Sequence, residues 1–112
     1  MTTATIFSSV PYNQNAGGFP PVPTPTVVNT GTPVSRATFT LTVSPATAWA
    51  KAATRGSLSG VGYVSEGEIF VAPNGTGTVN NSLHFPPNGR QYLTGEVLEC
   101  APGATASLTV TY

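Results

Sequence analysis

Four glutamates, one histidine and one cysteine are the side chains of this 112-residue chain best suited to acid–base, nucleophilic or metal chemistry. Cys100 would act as a nucleophile only as a thiolate activated by a neighbouring base. The one imidazole, His84, lies between Leu83 and Phe85 and just ahead of Pro86 and Pro87, where it reads as a loop residue. Cys100 sits in a strand-like run next to Pro102-Gly103 and reads as a buried, inert thiol. Glycoside hydrolysis needs two carboxylates across a cleft. Glu66 and Glu68, two residues apart, would share one wet face of a continuous strand, and Glu96 and Glu99 would point to opposite faces, so neither pair fits. No ligand spacing for a metal is recognisable, and the complete lack of aspartate argues against calcium. The expectation is a protein with no catalytic, cofactor-binding or metal-binding residues. Asn74-Gly75-Thr76 and Asn80-Asn81-Ser82 match the N-glycosylation pattern, but Met1 to Phe7 has neither the basic nor the apolar part of an export signal. Both matches read as chance in a sequence rich in Asn and Thr.

Charge excludes further classes of partner. Lys51, Arg36, Arg55 and Arg90 balance the four glutamates, and charged residues are 7% of the chain, against roughly 25% in an average soluble domain. Four cations among four anions cannot displace counterions from a nucleic acid, nor anchor the chain to an acidic membrane surface. No apolar run approaches the roughly 18 residues of a membrane span. A single cysteine allows no intramolecular disulfide.

The elements that would position these side chains divide near residue 35. Residues 1–35 carry six of the eleven prolines and no charge, and Phe19 to Thr26 reads as extended polyproline II. This part is predicted to be an extended arm. Fixing 35 residues costs on the order of 35–70 kcal/mol, so the arm is expected to lie on neighbouring chains, with Ile6, Phe7, Val10, Tyr12, Phe19, Val22, Val27 and Val28 making the contacts. From Arg36 to Tyr112 the pattern is that of a compact β domain. Ala37, Phe39, Leu41 and Val43 alternate with hydroxyl residues, and Ala104 to Tyr112 repeats the alternation. Val61 to Ala72, Gln91 to Cys100 and, more weakly, Thr76 to Asn80 add three strands. Ala101-Pro102-Gly103-Ala104 fits a type II turn, while Pro73-Asn74-Gly75 and Pro87-Asn88-Gly89 fit type I turns closed by a left-handed glycine. Ser44-Pro45 followed by the alanines of Ala46 to Thr54 predicts one short helix ending at Gly56, with Trp49 as a plug over the open end of the fold. The fold class expected is all-β: a small antiparallel β-sandwich or barrel with one short helix and a long N-terminal arm.

An arm rich in Thr, Pro and Gly joined to a compact β domain, in a chain of this length, resembles the decoration or cement proteins of tailed bacteriophage heads. That resemblance implies a non-enzymatic structural protein on the capsid surface, made in the host cytoplasm. It implies contacts between the arm and the major capsid protein or other virion subunits, and homo-oligomers, trimers favoured. The Thr-rich, nearly uncharged surface lacks the repulsion that keeps monomers apart and agrees with a building block. Two other readings stand beside it. One is a carbohydrate-binding or adhesin-like β-sandwich using Trp49, Tyr63 and Tyr92 as a stacking platform; the other is a tail or filament subunit assembled by strand donation.

Overall fold

A computed structural model describes residues 1–11 and 24–112 of the chain. The described residues form eight strands: β1 (Thr3–Pro11), β2 (Val28–Val34), β3 (Arg36–Ser44), β4 (Ala50–Ser57), β5 (Val64–Val71), β6 (Thr78–His84), β7 (Arg90–Cys100) and β8 (Thr105–Thr111). They make two four-stranded sheets, ordered β1-β8-β3-β6 and β2-β7-β4-β5, antiparallel throughout. First pairs with last, second with seventh, third with sixth and fourth with fifth, as if one long hairpin had been rolled up. The β8–β3 and β7–β4 pairings then complete each sheet, giving the topology of a jelly roll.

The core lies between the sheets and is built by period-two alternation. Phe39 and Leu41 of β3, Ile69 and Val71 of β5, Leu93 and Val97 of β7, and Leu108 and Val110 of β8 are all buried. Gly95 has a packing role: a Cβ there would lie 2.5 Å from the Ala53 carbonyl oxygen and 2.7 Å from Leu108 Cδ2 of the opposite sheet. The missing side chain is what lets Leu108 reach across.

Residues assigned to an arm are part of this core. β1 pairs with β8 from Thr3↔Thr111 to Pro11↔Thr105, and β2 pairs with β7. Ile6, Phe7, Val10 and Val28 are each buried, so these four face the protein's own interior and are not available to a neighbouring chain. The backbone N–H of Thr26 also donates to the Ile6 carbonyl at 2.8 Å. The physical reason is edge closure, because β1 and β2 cover the sides of β8 and β7 that a domain beginning at residue 36 would leave open. Val27 is exposed. Tyr12, Phe19 and Val22 lie outside the described residues, as does most of the polyproline stretch.

The predicted helix does not form. Pro45 to Trp49 is a turn in which the Ala48 N–H donates to the Pro45 carbonyl at 2.9 Å, and Ala50 begins β4, which is central in its sheet. Ala50 and Ala52 are fully buried between the sheets. Helix propensity is a weak bias that tertiary pairing overrides, and here two flanking strands, β5 and β7, claim the segment. The turns follow their sequences more closely. Ala104 N–H donates to the Ala101 carbonyl with Gly103 at φ +84, and Gly89 has φ +75. In Pro73-Asn74-Gly75 it is Asn74, at φ +61, that takes the left-handed conformation.

Candidate assembly surface

Each side chain with possible chemistry has a definite place. Cys100 is fully buried, its Sγ 3.6 Å from the Ala104 carbonyl oxygen, and burial, reinforced by the Glu99 carboxylate, pushes the thiol above its ordinary value of 9.0. His84 ends β6, opposite Arg36 of β3, and is exposed rather than sitting in a loop. The glutamates are redistributed by bulges. β5 slips register between its pairings with Thr54 and Arg55, which turns Glu66 toward Arg90 and leaves Glu68 beside Lys51. β7 slips between its pairings with Lys51 and Ala52, so Glu99 lies opposite Lys51 and Glu96 opposite Ala53. Lys51 and Ala53 share a face, hence so do Glu96 and Glu99, contrary to the expectation from simple alternation.

Three ion pairs result. Lys51 Nζ lies 3.3 Å from Glu68 Oε1 on the surface, and Arg55 donates to Glu96. The third is more enclosed: Arg90 Nε donates to Glu66 Oε2 at 2.6 Å, with side chains only 18% and 11% exposed, and Arg90 also donates to the Gly89 carbonyl and lies over the Phe85 ring. Gly56 makes room for this pair, since a Cβ there would sit 2.7 Å from Glu66 Oε2. The Glu66 carboxylate is thus taken up by the Arg90 guanidinium, and no three of His, Cys, Asp or Glu converge among the described residues.

The aromatic platform is divided. Trp49 immediately precedes the start of β4, whereas Tyr92 pairs with Ser57 at its far end and Tyr63 precedes Val64, the partner of Gly56. Eight residue steps along β4, about 26 Å, separate Trp49 from the two tyrosines. The three do not form one stacking surface.

The two sheets differ in character. Lys51 and Arg55 on β4, Glu66 and Glu68 on β5, and Arg90, Glu96 and Glu99 on β7 put seven of the eight charges on one sheet. The other sheet carries only Arg36, at one end of β3. Its outer face is a registered array of hydroxyls and amides. Thr3, Thr111, Thr38 and Ser82 form one row across the four strands, and Thr5, Thr109, Thr40 and Asn80 the next. Ser107, Thr42 and Thr78 continue it over three strands. Neighbours within the rows bond to one another: Thr3 to Thr111 at 2.9 Å, Thr38 to Ser82 at 2.8 Å, and Thr40 Oγ1 donating to Asn80 Oδ1 at 2.8 Å. Each such cross-strand pair is worth about 0.2–1 kcal/mol. They matter equally for binding, because hydroxyls already satisfied laterally lose less when water is removed. The Thr side of this face was legible in the alternation of β3 and β8. The contribution of Asn80 and Ser82 was not, although Thr78, Asn80, Ser82 and His84 alternate with Val79, Asn81 and Leu83 in the same way.

No family model, no curated protein and no solved structure matches the chain.

Proposed function

We propose that this protein is a non-enzymatic building block of a virion, a capsid-surface subunit held by lateral contacts between β domains. The observation that carries the reading is the separation of charge: one sheet holds the ion pairs, and the other offers a broad face of laterally bonded hydroxyls with a single charge at its margin. Such a face can be covered by a neighbour at low desolvation cost and without like-charge repulsion. The jelly roll is an architecture of capsid domains, and equally of lectins and cupins, so topology supports the reading only together with the content of the surface. The lectin alternative is weakened by the distance between Trp49 and the two tyrosines. Capsid attachment through Ile6, Phe7, Val10 and Val28 drops out of the proposal, because those side chains fill the core.

The test is immunogold electron microscopy of particles purified from the producing source. Label distributed over a closed shell supports the reading. Label confined to filaments or tails would favour the strand-donation alternative, and label only in the free-protein fraction would refute assembly altogether.

A further inference from the structure

Among the described strands, four lie at sheet edges, β1, β6, β2 and β5, and three of these are defended. β1 has two register shifts, a left-handed residue at Ser9 (φ +52) and a proline at its end. β2 loses register between Asn29 and Val34, where Gly31 and Pro33 interrupt it. β5 is bulged near Gly67 and carries Glu66 and Glu68. Bulges, prolines and charges are the devices that stop an edge from pairing with another chain. β6 has none of them. It runs Thr78-Val79-Asn80-Asn81-Ser82-Leu83-His84, without proline, glycine, Lys, Arg or Glu, and keeps unbroken register with β3 through seven consecutive pairs.

We infer that β6 pairs antiparallel with β6 of a second copy of this chain across a two-fold axis at Asn81, continuing the hydroxyl sheet into eight strands. The sequence of β6 is self-complementary in that register. Asn80 meets the partner's Ser82 on the outer face, and Thr78 meets the partner's His84. On the inner face the half-buried Val79 meets the partner's Leu83, apolar against apolar. An isologous contact of this kind closes on itself and gives a dimer rather than a fibre. The adjacent edge of the other sheet adds exposed apolar surface at Val64 and Phe70, while Glu66 and Glu68 keep β5 from pairing in turn. A footprint of about 23 Å of strand by about 20 Å, for two sheets about 10 Å apart with a layer of side chains outside each, is roughly 460 Å² per partner. That is about half of what a standard stable interface buries on each side, so the dimer is weak in solution and gains strength within a particle.

The second copy as occupant follows from the building-block reading; the rest stands on the edge itself. Sedimentation velocity from about 10 μM to about 1 mM, the range where so small an interface would populate, is run on the whole chain and two double variants. N80K/S82K sets a lysine at each position against a lysine of the partner, whereas N80K/S82E sets lysine against glutamate only if the two-fold passes through Asn81. The inference predicts a concentration-dependent dimer for the wild type. It predicts affinity about tenfold or more lower for N80K/S82K than for N80K/S82E. Circular dichroism melts check that both variants fold, and N80K/S82E serves as the matched control. A wild type that stays monomeric, an open-ended polymer, or two variants that associate alike would overturn it. A dimer seen without any shell would leave this inference standing and sink the virion reading; a shell whose subunits meet away from β6 would do the reverse.

Discussion

At the scale of single residues, Cys100 and Glu66 are the chemistry-bearing groups most firmly committed to structure. Cys100 is closed off by Ala50, its partner on β4, and by the turn to β8. Its thiol should therefore be unreactive toward a disulfide reagent in the native protein and react at the rate of a free thiol once the chain is unfolded. The raised value has a sign for stability. Well below 9.0 the thiol is protonated in both states and contributes no pH dependence. As pH rises above that value the unfolded chain ionises first, so stability falls until the folded thiol also ionises. Denaturant titrations of wild type and Cys100→Ala across the alkaline range should diverge in slope there and run parallel below it. The Glu66–Arg90 pair is the other residue-scale feature. Arg90→Ala would strand a mostly buried carboxylate and remove the group over Phe85, and should cost about 2–4 kcal/mol in chemical unfolding. Arg55→Ala, at a half-exposed pair, should cost about 1 kcal/mol or less.

At the scale of elements, legibility in the sequence tracked regularity. β3 and β8 alternate strictly and pair without a break, and both were readable. The turns at Gly89 and Gly103, each of which carries the chain from one sheet to the other, were readable because positive φ demands a particular residue type. β1 was hidden by its own edge protection, since register shifts at Thr5/Phe7 and Phe7/Val10 put Ile6 and Phe7 into the core in succession and erase period two. β4 was hidden by alanine, which is small enough for the middle of a tightly packed sandwich and is also the best helix former. The chain's first residues consequently make a sharp prediction. Ile6→Ala should destabilise by about 2–5 kcal/mol, as a core truncation does. A projecting arm would tolerate the same change with no shift in the unfolding midpoint.

At the scale of the whole molecule, the low charge count acquires a geometry. Seven of the eight charges lie on one sheet, six of them in three ion pairs, and the other sheet has a hydroxyl face bounded by β6, the one undefended edge among the described strands. Association through that sheet should be almost indifferent to ionic strength. Raising salt from about 0.05 M to about 1 M shortens the screening length from over 10 Å to about 3 Å, and should change the dimerisation constant less than about twofold. Steep weakening with salt would point to the charged sheet instead. Hydrogen exchange, compared between dilute protein and protein in the assembled particle, reads the assembly surface most directly. The amides of β6 should slow by about tenfold or more on assembly while those of β2 and β5 remain as they were. Unchanged exchange in β6, with protection gained on β2 or β5, would contradict assembly through the uncharged sheet.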